Sequence, residues 1–117
     1  MRIIVTGGSG KLGRNVVRGL RDAGHDVLNF DVTGERGPNF LRVDLTDFGQ
    51  VVDALFSVDF LHDGGFEAIV HLAAVPAGGI VSDVSTFQNN ILSTFHVFQA
   101  ARRAGIKRIV HASSETV

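Results

Sequence analysis

The stretch RIIVTGGSGKLG, Arg2 to Gly13, passes from a short apolar run into glycines three apart at Gly7, Gly10 and Gly13. Arg2 to Thr6 has the β-branched content of a buried parallel strand. The NVVRGLRDAG that follows has helical periodicity, with Leu12, Val16, Val17 and Leu20 on one face. The glycines fall where strand, tight turn and first helical turn join. A side chain at Gly7 would obstruct the turn, one at Gly10 would hold backbone amides away from a pyrophosphate, and one at Gly13 would push the helix off the strand. Ser9 lies inside the same turn, and helix N-terminal amides with the helix dipole hold an anion. The rival pattern is the phosphate loop GxxxxGK[ST], since Gly10 and Lys11 resemble its GK. It fails twice: it needs glycine where Val5 stands and Ser or Thr where Leu12 stands.

At 117 residues the chain reads as one domain, 1–117, long enough for a core and short for a two-domain enzyme. A formal charge of -1 gives no reason to expect nucleic acid or an acidic membrane surface as partner. Arg102, Arg103, Lys107 and Arg108 read as a solvated helix C-terminus entering a strand. The absence of cysteine excludes disulfide and thiolate chemistry. The apolar run Ile3 to Val5 is too short for a signal peptide or membrane span, so a soluble, cytoplasmic protein is expected.

Beyond Gly24 and His25, DVLNFD reads as a second strand ending at Asp31, 18 residues after Gly13. That is close to the interval at which a carboxylate meets the adenosine ribose hydroxyls, and a carboxylate there repels a 2'-phosphate, so NAD is favoured over NADP. Arg36, in the exposed loop Val32 to Asn39, would meet such a phosphate only if the loop folds inward. A third strand is expected at Phe40 to Val43. Thr46 or Asp47 then caps a helix through Val51, Val52, Leu55 and Phe56. Asp59 to Gly65 reads as a polar connection with His62 exposed in it. Phe66 to Ala74 reads as a fourth, central strand whose small terminal residues Ala73 and Ala74 leave room for a ligand, and Val75 to Val81 as a loop over that edge. The longest helix is expected at Asp83 to Ala104, with Val84, Phe87, Ile91, Phe95 and Phe98 as its apolar stripe and Gly105 as its stop. Lys107 to Ala112 is the fifth strand. This alternation predicts an α/β, doubly wound parallel sheet of five strands in order 3-2-1-4-5.

Taken together, TGGSGKLG, Asp31, the DLTD at Asp44 to Asp47, the HLAA at His71 to Ala74, the NNILST at Asn89 to Thr94 and the AGIKRIVHASSETV from Ala104 resemble the extended short-chain dehydrogenase/reductase superfamily, in its NAD-dependent epimerase/dehydratase family. The resemblance covers essentially the whole chain. It implies a Rossmann-type domain and the N-terminal, cofactor-binding portion of a sugar or sugar-nucleotide epimerase, dehydratase or dehydrogenase. By it, Lys11 and Leu12 lend amides to the pyrophosphate, Asp44 holds the adenine amino group and Leu45 covers the ring. Leu72, Ala73 and Ala74 line the ribose and nicotinamide side, and Asn90 braces that region. Ser114 aligns with the active-site Ser or Thr beside a catalytic tyrosine, with Ser113 and Thr116 as weaker candidates. A homodimer is implied, its interface formed by the long helix around Phe87, Leu92 and Phe98.

The departure from the family is the missing YxxxK pair, in which lysine lowers the tyrosine pKa so that phenolate takes the hydroxyl proton. The chain holds no tyrosine at all. It is therefore expected to be a piece that binds NAD without turnover, lacking the substrate-binding segment. The alternative is a non-catalytic NAD(P)-binding sensor or interaction module of the same fold. No metal site is expected from the five histidines, which show no HxH or HExxH spacing.

Overall fold

The computed structural model describes residues 1–57, 65–75 and 79–113. In these residues the order is β1 (Arg2–Thr6), α1 (Lys11–Asp22), β2 (Asp26–Asp31), β3 (Phe40–Arg42), α2 (Phe48–Ser57), β4 (Ala68–His71), α3 (Asp83–Ala104) and β5 (Arg108–His111), with β2 running to β3 without a helix between them. The strands form one parallel sheet in the order β3-β2-β1-β4-β5, as the alternation predicts. Parallel pairing puts every strand's carboxyl end on one edge. Register aligns Thr6 with Phe30 on one side and with His71 on the other, and His71 with His111.

The pleat divides β1 between two cores. Ile4 faces Leu28, Phe30, Ile69 and the inner faces of α2 and α3, while Ile3 and Val5 meet Val27 and Val17 under α1. Both faces of the central strands are thus covered, which is why they read as continuous apolar runs rather than alternating ones. Burial of side chains such as Ile69, 2% exposed, is worth about 2–3 kcal/mol each. Helix α2 starts where Asp47 accepts the Gln50 amide at 3.3 Å, so Asp47 rather than Thr46 is the cap. Ser82 caps α3 by accepting from the Ser85 amide at 3.2 Å.

Three expectations need correction. Strands β3, β4 and β5 are shorter than read, ending at Arg42, His71 and His111, where a last amide from Val43, Leu72 and Ala112 still donates to the neighbouring strand, to Asp31, Thr6 and His71 at 3.0, 3.1 and 3.1 Å. Leu12 is 59% exposed and lies off the buried face of α1, which is carried by Gly13 and Val17 with Val16 and Leu20 beside them. The stripe of α3, Val84, Phe87, Ile91, Phe95 and Phe98, is 67%, 66%, 54%, 57% and 38% exposed, so it is not the helix's core face but lies on the side of the expected pairing surface with Leu92. The helix's inner face is Ser93, Val97, Ala100 and Ala101, and the last three share one core with Val51, Ala54 and Leu55 of α2 and Ile4 and Ile69 of the sheet. The helix is apolar on two sides, and periodicity alone does not say which one meets the core.

Candidate functional site

The turn after β1 is held by backbone and by two side chains of β2. Gly7 takes φ +71, and a Cβ there would lie 2.8 Å from Cα and N of Ala73, so the turn packs directly on the exit of β4. A Cβ on Gly13 would lie 2.0 Å from the Gly7 carbonyl oxygen, so the first turn of α1 rests on the turn itself. Both positions admit only glycine, as read. Gly10, the residue before α1, is different: a Cβ there meets only the Gly7 carbonyl oxygen at 3.4 Å, an ordinary contact. Among the described residues nothing crowds Gly10, so the room in front of the first turn of α1 is open. That turn holds no acidic side chain, and Gly10 at its N-cap supplies no side-chain cap. Lys11 and Leu12 stand exposed beside it.

Asp31, at the carboxyl end of β2, accepts the Ser9 amide through Oδ2 at 3.0 Å and the Val32 amide through Oδ1 at 2.7 Å. Its carboxylate is thereby fixed against the glycine turn. Each carboxylate oxygen retains a further acceptor position. Asn29, two residues earlier, accepts the Gly8 amide through Oδ1 at 2.9 Å and donates from Nδ2 to the Ser9 hydroxyl at 3.0 Å. Asn29 belongs to the site and was not singled out from the sequence. Its only signal is an amide between the apolar Leu28 and Phe30 of DVLNFD.

On the other side of the crevice, the exit of β4 hangs on two partners. Thr6 Oγ1 accepts the amides of Leu72 and Ala73 at 3.1 and 3.2 Å. Asn90 of α3 accepts the Val75 amide at 2.8 Å and donates to the Val75 carbonyl at 3.2 Å. Asn90 therefore reaches the Leu72 to Ala74 segment through Val75, the next residue along. His71 is 3% exposed and lies between Thr6 and Thr94, its Nδ1 2.6 Å from Thr6 Oγ1 and its Nε2 3.1 Å from Thr94 Oγ1. Burial pushes its pKa down to about 4, with His111 on the neighbouring strand adding to the effect.

The DLTD segment forms a turn of its own. Asp44 Oδ1 accepts both the amide and the hydroxyl of Thr46, at 3.0 and 2.6 Å, and the Asp44 amide donates to Gln50 at 3.0 Å. Leu45 is a core side chain, 5% exposed, which leaves little of it to cover a ring. Its carbonyl accepts from His96 Nδ1 at 2.8 Å, a tie between α3 and this turn that sequence reading also missed. Ser114 and Thr116, like His62 and part of the Val75 to Val81 loop, lie outside the described residues; Ser113 is exposed. Among the described residues no group of three or more His, Cys, Asp or Glu is placed to hold a metal. None of the described helices is long and apolar enough to cross a membrane.

The structure thus gathers Gly7, Ser9, Gly10, Gly13 and Asp31 on one wall, and Leu72, Ala73, Ala74 and Asn90 on the other, at the edge where the chain turns from β1 outward to both sides. A doubly wound parallel sheet with an open glycine turn at this reversal of strand order has the architecture of a dinucleotide-binding domain. The sequence model of the NAD dependent epimerase/dehydratase family matches residues 3–117, and the chain belongs to that family. It is 28% identical over its full length to a UDP-glucose 4-epimerase of Klebsiella pneumoniae, of which it covers 91%. It is 37% identical over its full length to a 2-alkyl-3-oxoalkanoate reductase of Stenotrophomonas maltophilia, but covers 34% of that protein. Among solved structures, a short-chain dehydrogenase/reductase superfamily protein from Agrobacterium tumefaciens with bound NAD superposes at a TM-score of 0.80 with 32% identity, over 97% of this chain and 33% of that one. A UDP-galactose 4-epimerase does so at 0.80 with 30% identity, over all of this chain and 39% of that one. The chain therefore spans about a third of most of these relatives.

Proposed function

We propose that the chain is the NAD-binding portion of a sugar or sugar-nucleotide epimerase, dehydratase or dehydrogenase. The observation that carries this is the open first turn of α1, reached through a glycine turn whose own amide is held by the Asp31 carboxylate. The residues fit a dinucleotide. The uncrowded approach at Gly10 and the uncapped amides of Lys11, Leu12 and Gly13 suit a pyrophosphate, and the remaining acceptor positions of Asp31 suit ribose hydroxyls. A negative carboxylate at that place repels a 2'-phosphate and favours NAD over NADP. Leu72 to Ala74, kept at a fixed depth by Thr6 and Asn90, form a small-residue wall for the nicotinamide side.

When bound, the nicotinamide supplies hydride acceptance and return at a carbinol carbon of the substrate. The chain's own residues bind and orient. None of its 117 residues is a tyrosine, so the family's proton acceptor is not among them, and we expect this chain alone to bind NAD without turnover. The same absence favours a second reading, a non-catalytic NAD(P)-binding sensor of this fold. A YxxxK downstream in the encoded protein favours the enzyme, and a tyrosine-free continuation favours the sensor. The exposed apolar face of α3, with Phe87 and Phe95, supports pairing with a second copy through that helix.

Titration with NADH followed by fluorescence tests the cofactor reading. Gly10→Val fits the backbone at φ -75 and finds room within the chain, yet projects into the approach to the α1 amides. The variant is expected to melt like the wild type and to lose at least about tenfold in affinity. Unchanged binding by the folded variant contradicts the site.

A further inference from the structure

The Thr6 hydroxyl decides the state of His71. A hydroxyl has one proton to give and two lone pairs to offer, and Thr6 Oγ1 accepts from the Ala73 amide at 3.2 Å and from the Leu72 amide at 3.1 Å, the latter shared with the Thr6 backbone carbonyl at the same distance. Its proton therefore points at the remaining neighbour, His71 Nδ1, 2.6 Å away. Nδ1 is then a bare acceptor, and the ring's single proton sits on Nε2 and is donated to Thr94 Oγ1 at 3.1 Å. The other neutral tautomer and the imidazolium both present an Nδ1 proton to Thr6, which would then have three donors and no use for its own hydrogen. Thr6 and His71 are 1% and 3% exposed, so no solvent is at hand to repair such a mismatch. Among the described residues the groups around the ring are Thr6 from β1, Thr94 from α3 and His111 from β5, of which His111 is the titratable one.

We propose that His71 is a positioning residue for the cofactor crevice: as the neutral Nε2–H tautomer it orients the Thr6 hydroxyl, which in turn fixes the Leu72 and Ala73 amides against the glycine turn. Ala73 is the residue that Gly7 meets at van der Waals range, so one short relay from α3 through His71 and Thr6 sets the distance between the two walls. The effect of this relay on NAD affinity rests on the reading of the crevice given above.

Long-range proton–nitrogen correlation spectra of the nitrogen-15-labelled chain read the tautomer without any ligand. The expected result is an unprotonated Nδ1 and a protonated Nε2 on His71 at neutral pH. A protonated Nδ1 overturns the proposal. Amide exchange at Ala73 supplies the second readout. His71→Phe keeps the ring and removes the acceptor, and should speed exchange at Ala73 at least about fivefold. His71→Asn places a carbonyl oxygen where Nδ1 stood and should restore protection to within about twofold. NAD affinity should follow the same order, falling at least about fivefold in the Phe variant and recovering in the Asn variant. A folded His71→Phe chain with wild-type protection at Ala73 overturns the relay. If His71→Phe does not fold, the wild-type tautomer and the Asn variant still decide. Failure of the wild-type chain to bind NAD, with the tautomer as stated, would count against the cofactor reading and leave the relay standing.

Discussion

The glycine turn and helix α3 are both regular patterns in the sequence, and the structure treats them differently. At the turn, each reading rests on backbone meeting backbone: Gly13 against the Gly7 carbonyl, Gly7 against Ala73. Only one residue type satisfies those contacts, so residue and geometry imply one another. Along α3 the large apolar residues face outward and the small ones, Ala100 and Ala101, are buried in the core. Hydrophobicity there reports that a surface is to be covered, without saying by what. Close-packed backbone is legible in a single sequence; the choice between two apolar faces is made by the elements around the helix.

That contrast is open to direct attack. Gly13→Val should be the most damaging change, costing more than about 4 kcal/mol because its Cβ falls 2.0 Å from a backbone oxygen that cannot swing away; chemical denaturation measures it. Acid comes next, through the crevice rather than the turn. The folded pKa of His71 lies near 4, below the ordinary 6.5, so above pH 6.5 the group is neutral in folded and unfolded chains alike and costs nothing. As pH falls from 6.5 to 4 the unfolded chain takes up the proton first, and stability drops by roughly 3 kcal/mol over that window. Denaturation curves at pH 7 and pH 4 should show this loss for the wild type and a correspondingly smaller one for His71→Asn.

On α3, Val97→Ala on the inner face should cost about 2 kcal/mol, since Val97 is 2% exposed. Phe87→Ser together with Phe95→Ser, on the outer face, should change the stability of a single chain by no more than about 0.5 kcal/mol each, while reducing self-association seen by light scattering. If the outer pair proves as costly as Val97, the assignment of faces is inverted.

Strand order, the span of α3 and the glycine turn were legible, because βαβ alternation and glycine spacing leave few alternatives. Asp31 was found by its distance from Gly13 and proves to be hydrogen-bonded to the turn through Ser9. Asn29, the Thr6–His71–Thr94 relay and the His96 bond to Leu45 were not legible. Each joins residues far apart in the chain through a side chain whose role depends on what register brings opposite it. The two buried-side histidines make the point. His71 offers Nδ1 as an acceptor to a hydroxyl, whereas His96 must carry its proton on Nδ1 to reach a carbonyl. Both are simply His in the sequence, and only their partners assign the proton.

The central claim is that this crevice holds NAD and that Asp31 selects it. Calorimetric titration of the wild type and of Asp31→Asn with NAD and with NADP tests it most directly. The ratio of the two affinities within each chain cancels any loosening of the turn that the substitution causes. The account predicts that the wild type binds NAD at least about tenfold more tightly than NADP and that Asp31→Asn brings the two close to equal. A preference for NADP in the wild type, unchanged by the substitution, would contradict it.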